Sequence, residues 1–215
     1  MESLPPKEIE RLGQIILERS FDKDEIVYAS GDPSGVIYLL LEGRVRLYGM
    51  ARGHELTFNV LHAGTIFGVA SLTERTHAEY AQALEPSHVG LLDLSSFWQL
   101  VSKYPEVNAR GVGVLAERLR MSRKRMMDIA LKGVPARLAS LILDLLQSEG
   151  VVTREGYYRI PTRYTHAQLA TMIGAKRVAV TRAFGSLQDS GCVRLQSRQI
   201  YVIDLSALNQ LAAGL

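Results

Sequence analysis

Hydrophobic and polar positions along the 215-residue chain follow three successive patterns. Residues 5–19 place apolar side chains at helical spacing and predict an amphipathic helix. From Phe21 to Asp93, short β-rich runs alternate with glycine, proline and aspartate, which is typical of a β-sandwich or jelly roll. Helical spacing returns at Ser95 and dominates the rest of the chain. The patterns therefore predict an α+β fold with a β-rich N-terminal part.

The longest predicted helix runs from Pro105 to about Lys132. Its apolar positions alternate spacings of three and four, which is a heptad seam. The seam consists of Val112, Leu115, Leu119, Met126 and Ile129, with Ser122 in the one gap. Such a seam packs either within one chain or against the same helix of a second chain. A second apolar set lies off the seam and is available to the β-rich part: Val114, Met121, and Ala130 or Leu131. We therefore expect the seam to form a homodimer.

A two-helix motif occupies the stretch Thr165–Gln188. Thr165 and Gln168 have the spacing of a capping box, which begins a helix. Gly174 permits a sharp turn after that helix, because glycine adopts a positive φ without steric cost. A second helix starts at about Lys176 and carries arginines in its exposed first turns. This arrangement predicts a helix-turn-helix, whose second helix enters the major groove of DNA; the alternative is a helical hairpin with a solvated basic face.

Two flanking features delimit the part of the chain that holds this motif. Gly133–Pro135 is the predicted domain boundary, because proline cannot continue a helix. After the motif, two β-rich runs flank Ser197 and Arg198 and predict a β-hairpin wing with Arg198 at its tip. The C-terminal part therefore has the elements of a winged helix-turn-helix.

Charge is distributed unevenly along the chain. Residues 1–131 hold 15 Lys and Arg against 17 Asp and Glu, whereas residues 132–215 hold 10 against 5. Positive charge is therefore concentrated where the helix-turn-helix lies, as expected for a nucleic-acid partner. The N-terminus has no secretory hydrophobic stretch, and no apolar run is long enough to span a bilayer. We expect a cytoplasmic protein that does not bind membranes.

Motifs of catalysis and metal binding are absent from the sequence. The five histidines lack the His-x-His spacing of a metal-binding cupin, and no P-loop, nucleophile elbow or HExxH occurs. Cys192 is the only cysteine, which excludes an internal disulfide and a cysteine-ligated cluster within one chain. One histidine of the β-rich part, His77, is by itself weak evidence for a haem-binding site. We expect neither an enzyme nor a metal site; a ligand-sensing module that acts through protein partners is the rival class, and the basic second helix argues against it.

Three stretches, in this order and at this chain length, resemble the CRP/FNR family of bacterial transcription regulators. They read GDPSGVIYLLLEGRVRLY, FGVASL and GAKRVAVTRAFGSLQDSGCV, and the recognition helix of the last is most similar to the nitrogen-control (NtcA-like) branch. The resemblance implies a jelly-roll, cyclic-nucleotide-binding-like β-roll domain at residues 1–104, a dimerisation helix at 105–132 and a winged helix-turn-helix domain at 133–215. It also implies a homodimer that binds a palindromic promoter site on double-stranded DNA and activates transcription through RNA polymerase.

The resemblance assigns DNA contacts to residues of the helix-turn-helix and wing. Base-reading positions fall on Arg177, Val178 and Arg182. We expect phosphate contacts from Thr165, His166, Lys176 and Arg198, which position the protein without reading sequence. The catabolite branch has a glutamate where this chain has Val178, and valine packs on a thymine methyl group but cannot accept from cytosine. We therefore expect half-sites closer to GTA–spacer–TAC than to TGTGA–spacer–TCACA.

The candidate effector pocket departs from the family pattern. Gly68 fits the turn glycine of the cyclic-nucleotide branch, but Val69 replaces its glutamate, and Glu79 and Tyr80 replace its arginine–serine pair. A carboxylate repels a cyclic phosphate, so we expect no cAMP binding. Further pocket positions fall on the long helix. Ser122 matches a base-contacting hydroxyl and Arg118 matches an arginine of the 2-oxoglutarate pocket, but Arg123 replaces a glutamate there.

Two accounts of regulation remain open from the sequence. Glu79 can pair with one of the cations on the long helix, which are Arg118, Arg120, Arg123, Lys124 and Arg125. An internal ion pair would then stand in place of an effector, and no cofactor would be required. In the alternative, the β-roll responds to a metabolite other than cAMP, such as 2-oxoglutarate, and the protein acts as a repressor.

Overall fold

The computed structural model describes residues 15–214; at positions 71, 106, 107 and 110 it describes the backbone only. The chain divides into two compact units between Arg120 and Met121. The helix expected at residues 5–19 lies mostly outside the described residues, and the prediction is wrong for residues 17–19. Leu17–Arg19 belong to a strand instead, because they pair antiparallel with a strand that ends at Asp93.

The N-terminal unit is a β-roll of two antiparallel four-stranded sheets. One sheet has the order β1-β8-β3-β6 and the other β2-β7-β4-β5. The strands are β1 Leu17–Phe21, β2 Ile26–Tyr28, β3 Val36–Glu42, β4 Arg44–Ala51, β5 His54–His62, β6 Ile66–Phe67, β7 Tyr80–Ala83 and β8 Ser87–Asp93. A short 3-10 helix at Val69–Leu72 follows β6. The β-rich N-terminal fold expected from the sequence is confirmed.

The core of the β-roll lies between its two sheets. In β4, Val45 and Leu47 are buried, whereas Arg44 and Arg46 alternate with them and form ion pairs on the opposite face. This period of two places one apolar face of each strand inward. Aromatic rings of Phe21, Tyr28, Tyr38 and Phe67 complete the core.

Two helices follow the β-roll in the sequence. Helix α1 spans Leu94–Lys103 and is capped by Asp93, whose side chain accepts a hydrogen bond from the backbone N–H of Ser96. Helix α2 spans Pro105–Leu131, close to the bounds expected from the sequence. Since the two compact units divide at Arg120, α2 contributes to both of them.

The C-terminal unit contains three helices around a four-stranded sheet, closed by a fourth helix. Its elements are α3 Val134–Glu149, β9 Val151–Val152, β10 Tyr158–Ile160, α4 His166–Ile173, α5 Arg177–Asp189, β11 Val193–Gln196, β12 Gln199–Val202 and α6 Leu205–Ala213. The sheet order is β11-β12-β10-β9. Leu138, Ile142, Leu169, Phe184 and Leu208 form part of its buried core. Among the described residues, no helix combines the length and apolarity that a bilayer crossing requires.

Candidate nucleic-acid interface and candidate effector pocket

A complete capping box begins α4, as the spacing of Thr165 and Gln168 predicts. Thr165 Oγ1 accepts from the backbone N–H of Gln168 at 3.1 Å, and Gln168 Oε1 accepts from the backbone N–H of Thr165 at 2.9 Å. The two bonds satisfy two N–H groups that a helix start otherwise leaves without partners. The start of α4, and with it the position of His166, is thereby fixed by local sequence.

The turn between α4 and α5 is built on Gly174. Its backbone has φ 60° and ψ 47°, in the left-handed region that favours glycine. Arg137 of α3 stabilises the turn, because its Nη1 donates to the carbonyl of Ile173 at 2.9 Å. Sequence reasoning missed Arg137, since nothing in the pattern of α3 indicates which turn its side chain reaches.

Helix α5 presents one apolar and one exposed face. Val180, Ala183, Phe184 and Leu187 are buried against the rest of the unit. The three base-reading candidates Arg177, Val178 and Arg182 are exposed, and Val178 has 62% of its surface accessible. Lys176 is exposed at the N-cap position. An isolated valine this exposed at the start of a helix contributes little to folding, which makes it available to a partner.

His166 and Thr181 connect the start of α4 to the exposed face of α5. His166 Nδ1 and Thr181 Oγ1 are 2.9 Å apart, and the imidazole stacks on Phe184 with ring centroids 5.4 Å apart. Sequence reasoning missed Thr181. Its position four residues after Arg177, one helical turn along the same face, is the signal that could have found it.

The wing is a β-hairpin of β11 and β12 with a two-residue turn. Ser197 and Arg198 have φ of 50° and 63°, and the flanking Gln196 and Gln199 are paired. Positive φ at both central residues is the pattern of a type I′ turn, which matches the twist of the strands. The turn leaves Arg198 exposed at the tip, where the sequence places it.

The candidate effector pocket in the β-roll starts at Gly68. This glycine has φ 70° and precedes the 3-10 helix at Val69–Leu72. A Cβ atom at position 68 would lie 2.6 Å from the Tyr38 ring, so the backbone needs glycine here for two reasons.

Glu79 lies half-buried just before β7 and has partners inside the β-roll. Tyr28 donates its hydroxyl to Glu79 Oε1 at 3.3 Å. Burial raises the pKa of Glu79, and the Tyr28 hydrogen bond and the charge of Arg118 oppose that rise. His77 stacks on the Tyr28 ring with centroids 3.8 Å apart, and burial lowers the pKa of His77. Sequence reasoning missed Tyr28, because it reaches Glu79 only through the pairing of β2 with β7.

Arg118 of α2 is the cation that acts on Glu79. Its Nη2 donates to the carbonyl of Ile66 at 2.5 Å, and burial lowers the pKa of Arg118 while Glu79 opposes the shift. Other cations of α2 have different partners, since Arg120 pairs with Glu117 and Lys124 with Asp144. Arg118 is thus the cation of α2 whose charge acts on Glu79, but the described contacts of the two side chains do not include the direct ion pair that the sequence leaves open.

Tyr80, Ser122 and Arg123 are further candidates for the pocket. Tyr80 stacks on Tyr48, with ring centroids 5.0 Å apart. Ser122 and Arg123 are exposed and belong to the C-terminal unit. Within residues 15–214, no cluster of three His, Cys, Asp or Glu side chains has the arrangement of a metal site.

The apolar seam of α2 is exposed along its length. Its members and their accessible fractions are Val112 61%, Leu115 42%, Leu119 53%, Met126 67% and Ile129 40%. Ser122 in the gap is exposed as well. The expectation that the second apolar set is covered within the chain is wrong for two members, because Val114 and Leu131 are also exposed.

Comparison with known proteins agrees with this architecture. Residues 18–104 match the family described as cyclic nucleotide-binding domain, and residues 136–211 match the Crp-like helix-turn-helix domain. The global nitrogen regulator of Synechocystis sp. is 28% identical over 93% of this chain and 92% of its own length. The CRP-like cAMP-activated global transcriptional regulator of Mycobacterium tuberculosis is 26% identical over 98% of this chain and 95% of its own. A CooA variant from Carboxydothermus hydrogenoformans has the same fold, with a TM-score of 0.84 at 21% identity over 94% of this chain and 90% of its own.

A β-roll of the cyclic-nucleotide-binding type followed by a Crp-like helix-turn-helix defines a DNA-binding transcription regulator. The relatives that match along nearly the whole chain are transcription regulators and not enzymes. The chain belongs to the CRP/FNR family.

Proposed function

We propose that this protein binds a palindromic promoter site as a homodimer and activates transcription there without requiring cAMP. The observation that carries the effector-independent part is the half-buried Glu79, which accepts a hydrogen bond from Tyr28 and is influenced by the charge of Arg118. The family resemblance assigns this position to an arginine that holds the cyclic phosphate. The dimeric part rests on the exposed seam of α2, and the DNA-binding part rests on the exposed face of α5.

Homodimerisation would cover the apolar seam of α2. Five apolar side chains at heptad spacing, each at least 40% exposed, are costly to leave in water, and a parallel copy of α2 has the matching spacing. A two-fold dimer presents two recognition helices, and such proteins read two half-sites about one helical turn apart. The operator is therefore a palindrome in this proposal.

Base recognition is assigned to Arg177, Val178 and Arg182. An arginine that bonds guanine O6 and N7 together contributes about 1–3 kcal/mol of discrimination. Val178 offers a methyl surface to thymine and no acceptor to cytosine, which favours GTA–spacer–TAC half-sites. Thr165, His166, Lys176 and Arg198 would then contact phosphates.

The pocket of the β-roll disfavours cAMP in this proposal. The relative from M. tuberculosis is named as cAMP-activated. In this chain, a bound cyclic phosphate would meet the carboxyl group of Glu79 and would have to displace it from the Tyr28 hydroxyl and from the electrostatic influence of Arg118. Both the repulsion and the loss of those partners oppose binding. The internal contacts of Glu79 would hold the β-roll in the form that an effector stabilises in relatives.

Activation would proceed through contact with RNA polymerase in the cytoplasm, as the family resemblance implies. In vitro transcription from a promoter with the selected operator tests the sign of regulation. A rise in transcript with added protein supports activation, and a fall supports a repressor.

Selection of bound DNA from a random pool tests the proposal as a whole. The selection is run with apo protein and repeated with cAMP and with 2-oxoglutarate, and the mass of the complex is measured by analytical ultracentrifugation. We expect palindromic GTA–spacer–TAC sites, two chains per site and the same enrichment in all three arms. Strict TGTGA half-sites would contradict the assigned role of Val178. One chain per site would contradict the homodimer, and enrichment that requires a ligand would contradict binding without an effector.

A further inference from the structure

We infer that Thr181 fixes the tautomer of His166, so that His166 can contact a DNA phosphate only when it is protonated and operator binding is coupled to proton uptake. The inference rests on the proposed operator binding and adds Thr181 as a positioning residue. It makes the affinity for DNA depend on pH.

The hydroxyl of Thr181 has one hydrogen, and that hydrogen is already used. Thr181 Oγ1 donates to the carbonyl of Arg177, four residues earlier in α5, at 3.1 Å. The oxygen can therefore only accept from His166 Nδ1, which lies 2.9 Å away. Since His166 Nδ1 must then be the donor of this hydrogen bond, it carries a hydrogen.

Ring stacking fixes the orientation of the same imidazole. The His166 ring lies over the buried Phe184 ring at an interplanar angle of 21°. With Nδ1 bonded to Thr181 and one face on Phe184, the half-buried ring has a defined direction. Its other nitrogen, Nε2, forms no hydrogen bond to another residue in the described part of the chain and is free to meet a ligand.

The chemistry of Nε2 then depends on protonation. With Nδ1 carrying the hydrogen, neutral imidazole has a lone pair at Nε2 and is an acceptor there. Phosphate oxygens are also acceptors, so the neutral ring opposes close contact. Protonation adds an N–H at Nε2 and a positive charge, which allows a charge-assisted hydrogen bond to phosphate. Histidine is the side chain whose charge ordinarily changes between pH 5 and 8.

Other charged groups around His166 do not substitute for this proton. Helix α4 has no other titratable residue. Two helices pack against it, and the carboxylates that they carry are either engaged or distant. Asp144 of α3 pairs with Lys124, Glu149 accepts from Tyr164 at 2.6 Å, and Asp189 ends α5, eight residues or about 12 Å beyond Thr181. The remaining charges on these helices and just before α4 are cationic: Arg137, Arg163, Arg177 and Arg182.

Operator binding and protonation of His166 are linked in this proposal. Because the proposed phosphate contact requires a hydrogen on both ring nitrogens, binding takes up a proton wherever the free ring is neutral, so operator affinity falls as pH rises. One proton per chain changes Kd by at most about tenfold per pH unit, and two chains on one operator by at most about 100-fold.

The tautomer is tested first, in the free protein without DNA. Long-range ¹H–¹⁵N NMR spectra of histidine-labelled protein at pH 8 distinguish a hydrogen on Nδ1 from one on Nε2. We expect the Nδ1–H form for His166 in the wild type and in Thr181→Ser, which keeps the hydroxyl. Thr181→Val should lose this preference. An Nε2–H form in the wild type would overturn the inference.

The proton linkage is tested by fluorescence anisotropy on the selected operator from pH 6 to 8 at constant salt. We expect the wild type and Thr181→Ser to weaken by at least about tenfold over this range. The Thr181→Val profile should be flatter, because its neutral imidazole can then place the hydrogen on Nε2. His166→Lys, which stays cationic, should bind with the pH effect removed. A flat wild-type profile, or an unchanged slope in His166→Lys, would refute the linkage and leave the proposed function intact. No binding at any pH would refute both.

Discussion

The helix-turn-helix and the β-roll pocket differ in where their charged side chains find partners. On α5, Arg177 and Arg182 are exposed and available to a molecule outside the chain. In the β-roll, Glu79 interacts with Tyr28 and Arg118 of the same chain. The first site leaves its charges to an outside partner, whereas the carboxyl group of the second already accepts a hydrogen bond from Tyr28 within the chain. This difference suggests that a regulator of this family can keep its DNA-reading surface while its sensory pocket takes over the role of the ligand.

The largest effect is expected from breaking the proposed homodimer, on which the proposed reading of two half-sites depends. Met126→Glu places a carboxylate in the seam next to its copy in the partner, where charge burial and repulsion both oppose association. Met127→Glu is the matched control, because Met127 is 58% exposed but lies off the seam. We expect Met126→Glu to weaken operator binding by at least about 100-fold and the control to change it little. Ultracentrifugation and anisotropy measure both; equal behaviour of the two variants would remove the seam from the interface.

A smaller effect is expected at a single base contact. Arg182→Ala removes one bidentate donor to guanine and should cost about 1–3 kcal/mol per half-site, or roughly 5–150-fold in affinity. Lys176→Ala, a candidate phosphate contact, should weaken binding to all sequences alike and lower the salt dependence by about one ion per half-site. Titrations on the operator and on unrelated DNA separate these outcomes. Uniform weakening by Arg182→Ala would make Arg182 a phosphate contact instead.

Val178 controls half-site preference in this account. Val178→Glu supplies an acceptor for the cytosine amino group and removes the apolar contact to thymine. We expect the preference at one base pair to move by about 1–3 kcal/mol, towards TGTGA-type half-sites, without loss of the fold. Repeating the DNA selection with this variant measures the shift. An unchanged consensus would show that residue 178 does not contact bases.

The two regions also differ in how much of them could be predicted from sequence. The helix-turn-helix depends on local signals: Thr165 and Gln168 form the capping box, and Gly174 adopts the left-handed turn. The sequence leaves open which cation of α2 acts on Glu79, because the answer depends on strand register and on how the middle of α2 lies against β6. Tyr28 was missed for the same reason, since 51 residues separate it from Glu79. Spacing along the chain specifies contacts within a helix, but not contacts that the fold brings together from distant segments.

The smallest effect is expected from the titration of Glu79. Burial raises its pKa above the ordinary value of 4.5, so the folded protein holds this proton to higher pH than the unfolded chain does. As pH rises from about 4.5 towards 7, the wild type should therefore lose stability relative to Glu79→Gln. Denaturant unfolding at several pH values measures the difference in the free energy of unfolding between the two proteins. The lowered pKa of His77 does not affect this difference, because both proteins contain His77. Glu85→Gln, which removes a carboxylate paired with Arg44 elsewhere in the β-roll, controls for loss of negative charge. Parallel pH profiles for the wild type and Glu79→Gln would contradict the burial of this carboxyl group.

The most direct test of the central claim is the Kd of the apo protein for its selected operator, measured by anisotropy with and without saturating cAMP or 2-oxoglutarate. If Glu79 and Arg118 take the place of an effector, the apo protein binds tightly and Kd changes by less than about twofold with either ligand. Weak apo binding that tightens by about tenfold or more with either ligand would contradict the claim, because such a shift requires the ligand to favour a form that the internal contacts of Glu79 do not already stabilise.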